Sequence, residues 1–231
     1  MNIFILEFYR LKKSIKKIVF IVLLLHLINT LIFIRNINGM AGSNHDFFTL
    51  LFSSSYATLM NWMYWLSFCV GYMILLQILW KSPEYMYEVQ MILRLRQWKN
   101  LWMARFIIGI LFTLYYVFSA LSTAIILFCV FHVHIEFDMS WLMMFLCITI
   151  NLLLHGTMWL VMKNHVGFEV ATISVLGIFF IGLRSDSPFT PLYYGMYENI
   201  QGSFGVVLLE LIIIFSLMIY VIHHATKNDY L

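Results

Sequence analysis

Charge is scarce in this chain of 231 residues. Asp, Glu, Lys and Arg together make up 11% of it, while hydrophobic residues make up 62%. A water-soluble domain carries roughly a quarter charged residues to cover its surface. A core of this size cannot hide so much apolar surface from water, so lipid must cover the outside. The length suits one membrane domain and leaves no room for a second soluble domain of ordinary size, roughly 100 residues. Cysteine is equally sparse. Cys69, Cys129 and Cys147 all lie inside apolar runs and form no Cys-x-x-Cys pair, so they read as buried thiols acting as small apolar residues. The chain has no Gly-x-x-x-x-Gly-Lys-Ser/Thr, so it is not itself an ATPase of that type. His-Glu-x-x-His, Gly-x-Ser-x-Gly and paired intramembrane aspartates are missing too, which argues against an intramembrane protease. No internal repeat or low-complexity tract is present.

What the chain does have is long apolar runs. A spanning helix needs about 20 mostly apolar residues. Six runs are candidates: Ile18–Ile34, Trp62–Trp80, Phe106–Phe131, Trp141–Met162, Val166–Leu183 and Phe204–Ile222. The fifth is short and carries Glu169 near its start. In lipid the backbone must satisfy its own hydrogen bonds, and closed-barrel alternation is absent, so these runs predict helices. The first run is too long for a signal-peptide core, and no small-residue cleavage site follows it.

The placement of cations orients the spans. Arg10, Lys12, Lys13, Lys16 and Lys17 precede the first run. Lys81, Arg94, Arg96, Lys99 and Arg105 lie between the second and third. Lys163 and Lys227 fall on the same side, and of the 14 basic residues only Arg35 and Arg184 fall opposite. The opposite side carries Asp46, Glu136, Asp138, Asp186 and Glu198. The expected fold is an all-α integral membrane protein, one domain over 1–231, with six transmembrane helices and both termini cytoplasmic. With the basic residues flanking membrane segments, nucleic acid is not an expected partner.

Two cytoplasmic segments stand out. In residues 1–17, Phe4, Phe8, Leu11, Ile15 and Ile18 recur on one helical face, with Arg10, Lys13 and Lys17 opposite. That pattern predicts a helix in the headgroup plane, its apolar face in lipid and its cations near anionic phosphates. After the second run, Pro83 can open a helix, with Ser82 as its cap and Glu84 in the first turn. Gln90, Arg94 and Gln97 then form a narrow polar stripe edged by Tyr87 and Trp98. A cytoplasmic helix over 84–98 with so little polar surface must bury itself against the bundle or a partner.

On the other side, residues 36–61 form the longest connection, and Phe47–Met60 is apolar enough for an outer helix or a membrane dip. Pro188 and Pro191 preclude a continuous helix around Tyr193, Tyr194 and Tyr197. A short fifth span followed by a half-buried broken segment is expected there. Within the spans, Asn151 and His155 share one helical face, and Glu210 lies about two turns inside the last run. An intramembrane carboxylate costs a few kcal/mol and usually faces a cavity or a partner. These three are candidates for inter-helix bonding or for a substrate path or gate. His132, His134, Glu136 and Asp138 have metal-ligand residue types, but their spacing matches no ligand pattern, and they read as a solvated loop. No metal site is expected. His223 and His224 read as interfacial residues ending the last run.

The order of these features resembles the permease subunit of a type 2 ATP-binding-cassette exporter: a basic interfacial helix, one span, a long outer loop, a second span, a cytoplasmic helix and four more spans. The local likeness is Ile92-Leu93-Arg94-Leu95-Arg96-Gln97-Trp98-Lys99; many relatives have Gly-Ser where this chain has Arg96 and Gln97. The resemblance implies that the 84–98 helix is a coupling helix docking into a separate ATPase through Glu84, Tyr87, Gln90, Arg94, Gln97 and Trp98. It implies ATP and Mg bound by that partner and no cofactor in this chain. It also implies a second permease chain, membrane lipids as surroundings, and export of an amphipathic or hydrophobic substrate such as an antimicrobial peptide, a lipid or a drug. Two other functions compete. One is the substrate-binding component of an energy-coupled vitamin importer, which docks through Ala-x-x-x-Ala patterns such as Ala120–Ala124. The other is a membrane accessory protein without transport.

Overall fold

The computed structural model describes residues 3–37, 51–52, 54–55, 58–80, 98–132, 140–185, 187–200 and 203–225, with the backbone alone at 3–14 and at a few helix ends. The elements are α1 (Ile3–Ile37), α2 (Leu59–Trp80), α3 (Trp98–Val130), α4 (Ser140–Val166), α5 (Phe168–Arg184), a 3-10 turn (Pro191–Gly195), the single turn α6 (Tyr197–Ile200) and α7 (Phe204–Ala225). No strand occurs among the described residues. Five helices are long and apolar enough to cross a membrane, at Ile15–Asn36, Leu59–Trp80, Trp102–Val130, Trp141–Val166 and Phe204–His223.

Large apolar side chains cover the outside: Phe20 and Ile32 on α1, Phe118 and Ile126 on α3, Ile173 and Ile181 on α5, and Leu208, Ile212, Phe215 and Ile219 on α7. A soluble monomer does not expose apolar surface on this scale, whereas lipid tails cover it without cost.

Three expectations need adjustment. The fifth run is a helix of 17 residues, Phe168–Arg184, about 25 Å long against a hydrocarbon core of about 30 Å; by length it is not a full span. Val166, expected to start it, instead ends α4. The expected in-plane helix over 1–17 is not marked off from the first span, because α1 runs without a break for 35 residues. The third helix begins at Trp98, well before the apolar run at Phe106.

Packing pairs give the directions of the helices. His26 meets Tyr116 and Phe33 meets Phe128 at nearly constant numbering offset, so α1 and α3 run parallel. Phe33 packs on Tyr64 and His26 on Phe68, a descending register that makes α2 antiparallel to α1. Trp80 stacks on Trp159 and Gly156 abuts Leu76, so α4 runs with α2. Trp159 meets Phe168 and His155 meets Phe179, so α5 returns antiparallel to α4. Asn151 bonds Glu210 and His165 bonds Tyr220, so α7 runs with α4. Helices α1, α3 and α5 point one way, and α2, α4 and α7 the other. Lys16, Lys17, Lys99, Arg105 and Lys163 therefore gather at one end of the bundle, and Arg35 and Arg184 at the other.

The bundle interior is aromatic. Tyr64, Phe68, Tyr72, Tyr116, Phe33 and Phe128 are all buried. Buried hydroxyls need partners in this setting. The Tyr116 hydroxyl donates to the Phe68 carbonyl at 2.8 Å, and Tyr72 and Thr113 share a 2.8 Å hydrogen bond between their hydroxyls. At the cation-rich end, Trp80 Nε1 donates to the Arg105 carbonyl at 3.1 Å while its ring lies against Trp159.

Candidate functional site

The short α5 leaves space beyond Arg184 at the cation-poor end, and residues 187–200 turn back into it. Thr190 Oγ1 donates to the Ser187 carbonyl at 2.9 Å, and Pro191 opens the 3-10 turn that follows. Leu192, Gly195, Met196 and Ile200 are buried, so the segment is packed into the bundle. Leu192 lies over Gly182 of α5. Ser55, from the connection between α1 and α2, approaches the Met196 sulfur at 3.5 Å through both its backbone N–H and its hydroxyl. In that connection Leu51 and Phe52 are also buried, the Leu51 carbonyl accepting from Trp65 Nε1 at 3.1 Å. Two outer connections thus close over this end. The expected short helix and broken segment are both present, and the other residues of Phe47–Met60 lie partly outside the described residues.

Irregular backbone at membrane depth is tolerated only where protein or an enclosed cavity supplies its hydrogen bonds. Here the supplier is Asn151, about 16 Å along α4 from Ser140. Its Nδ2 donates to the Pro191 carbonyl at 2.7 Å and to Glu210 Oε1 at 2.6 Å. One carboxamide therefore ties together α4, the 3-10 turn and α7. Asn151 is 1% exposed and Glu210 3%. Gly195 makes this approach possible: a Cβ there would sit 2.7 Å from Asn151 Cγ and 2.8 Å from its Oδ1. His155, one turn on, donates from Nδ1 to the Asn151 carbonyl at 2.8 Å and stacks on Phe179 with ring centroids 4.1 Å apart.

Three buried atoms of this cluster, Asn151 Oδ1, His155 Nε2 and Glu210 Oε2, have no hydrogen-bond partner among the described residues. A native interior leaves few such atoms, and each can take a hydrogen bond from water or from a polar ligand. The cluster is a polar joint placed where the helix bundle meets the 187–200 segment.

Of the expected site residues, Asn151, His155 and Glu210 are brought together, with Asn151 in the centre. The expected docking residues Glu84, Tyr87, Gln90, Arg94 and Gln97 lie outside the described residues, and Trp98 is described only as the first backbone position of α3. Of the outer His/Glu/Asp group only His132 is described, exposed and with φ 53°. Among the described residues no three His, Cys, Asp or Glu side chains gather as metal ligands. Sequence reasoning missed Gly195 and the Pro191 carbonyl, which carry no ionisable group. It also missed His26, fully buried on α1 against Tyr116 with centroids 4.6 Å apart. A histidine in the middle of the first apolar run was the available signal.

Comparison with protein-family models, with curated proteins and with solved structures finds no match.

Proposed function

We propose that this chain is the membrane-spanning permease subunit of an ATP-driven exporter. In this reading α5 and the re-entrant segment together complete a sixth crossing, the cation-rich end faces the cytoplasm, and both termini lie there. The observation that carries the proposal is the alternating direction of α1, α2, α3, α4, α5 and α7. It brings the ends of α2 and α3, and hence the connection holding Glu84–Trp98, to the cation-rich end. That layout, a basic first helix and a long cytoplasmic connection between the second and third membrane helices, is the one the exporter resemblance requires. The connection would dock on a separate ATPase that binds ATP and Mg, two permease chains would form the pathway, and the Asn151–Glu210 joint would lie beside it. The cargo class is amphipathic or hydrophobic: an antimicrobial peptide, a lipid or a drug.

The importer alternative loses its docking motif, because Ala120 and Ala124 are fully buried within the bundle. The accessory-protein alternative is separated by co-purification. The exporter reading predicts that an ATPase is captured with the full chain from native membranes, and that Arg94→Glu abolishes stimulated ATP hydrolysis in the reconstituted complex while insertion is unchanged. Capture of no ATPase, or full stimulation by the Arg94→Glu chain, contradicts it.

A further inference from the structure

The cation-rich end carries a second feature that the export reading does not use. Between α1, α2 and α3 there is a groove of about 270 Å³, lined by Ile15, Ile18 and Val19 of α1, by Leu79 of α2 and by Leu111, Tyr115 and their neighbours on α3. Among the described residues no polar atom lines it. It opens sideways: Leu111 at its lip is 59% exposed, and Phe20 and Leu114, in the adjoining turns, are exposed apolar residues. The groove therefore opens toward lipid, at the depth of one leaflet. Lys16 and Lys17, in the same turn of α1 as Ile15 and Ile18, are exposed, and Lys12 and Lys13 precede them by one turn in the same unbroken helix.

We propose that this groove is a binding site for an anionic phospholipid of the cation-rich leaflet, one acyl chain lying along Ile18, Val19 and Leu111 and the headgroup phosphate meeting Lys16, which flanks the lining face of α1. The lining selects a hydrocarbon chain, because nothing in it can hydrogen-bond a polar ligand and its volume is close to that of small-ligand pockets. Lys16 selects the headgroup, because juxtamembrane cations attract anionic lipid, by about five-fold for each one near the surface. A lipid held there would act as a wedge between α1 and the α2–α3 pair, at the end from which the 81–97 connection departs. The site depends on the bundle and its cation-rich end, and an ATPase partner is not required for it.

The test uses the full chain reconstituted in vesicles of equal phosphatidylglycerol and phosphatidylcholine, then extracted in mild detergent for native mass spectrometry. The expected result is retained phosphatidylglycerol, enriched roughly five-fold over phosphatidylcholine. Leu111→Trp, which fills an exposed lip without entering the core, should cut retention of both lipids. Lys16→Gln should keep a retained lipid but bring the ratio close to that of the vesicle, while Lys17→Gln, on the opposite face, should leave the ratio nearly unchanged. Retention in the vesicle ratio by the unaltered chain overturns the proposal. So does a Leu111→Trp chain that retains phosphatidylglycerol unchanged, since the attraction then belongs to the basic surface alone. Loss of a dimer in Leu111→Trp, with no lipid retained by the unaltered chain, would assign the groove to a second copy instead.

Discussion

Asn151 is the residue on which the interior depends most. Its two donors are spent on two acceptors from different elements, the Pro191 carbonyl and Glu210 Oε1. Inter-helix hydrogen bonds in membranes average about 0.6 kcal/mol each, but removal of a donor also strands its buried acceptor, at about 1–3 kcal/mol. Asn151→Leu strands both and should destabilise the chain by about 2 kcal/mol, read as a lowered unfolding midpoint in detergent. Glu210→Gln keeps the acceptor oxygen and the volume and should leave that midpoint nearly unchanged. Comparable loss in both variants would show that the carboxyl does more than accept from Asn151. The polar character of these positions was legible because an Asn, a His and a Glu within apolar runs are conspicuous. Their pairing was not, because Asn151 and Glu210 are 59 positions apart and nothing local specifies which helices face each other.

At the scale of elements, the α4–α5 hairpin turns on one residue. Val166 ends one helix, Phe168 starts the next, and Gly167 between them has φ +87°. Its N–H still reaches the Lys163 carbonyl at 3.2 Å, and its own carbonyl accepts from Ala171 at 3.2 Å. Trp159 Nε1, donating to Thr172 Oγ1 at 3.1 Å, then holds the two helices together. A Cβ at Gly167 would touch nothing within 4 Å, so Gly167→Ala isolates the backbone term. It should cost about 1–3 kcal/mol, measured by chemical or thermal unfolding in detergent, and no loss would mean that the hairpin turn relaxes into another conformation. The elements themselves followed from composition: apolar runs with few charges became helices, and Pro188 and Pro191 broke the segment they occupy. The boundaries followed less well. Trp98–Arg105 is interrupted by Lys99, Asn100 and Arg105 and falls outside the continuous apolar run, yet the helix extends through it, because helix hydrogen bonds do not stop where lipid does. Gly167, read as part of an apolar stretch, gave no sign that a helix reverses there until its neighbours Trp159 and Phe168 were seen to meet.

For the whole molecule, charge asymmetry and helix direction bear on the same question independently. Lys16, Lys17, Lys99, Arg105 and Lys163 gather at one end through the directions of α1, α3 and α4, and α5, despite its 17 residues, runs back across the bundle and so sets the direction of α7. If α5 did not return, α7 would run antiparallel to α4, and the His165–Tyr220 contact at 2.9 Å could not share a register with Asn151–Glu210. The measurement that tests this most directly is labelling of single cysteines in intact cells with a membrane-impermeant thiol reagent, after Cys69, Cys129 and Cys147 are replaced by alanine. Ser187→Cys and His132→Cys should label from outside, while Asn164→Cys and Lys227→Cys should label only after the cells are opened. Labelling of Lys227→Cys from outside, with Asn164→Cys still protected, would mean an odd number of crossings after α4 and would contradict the six-helix arrangement, and labelling of Asn164→Cys from outside would contradict the cytoplasmic docking segment.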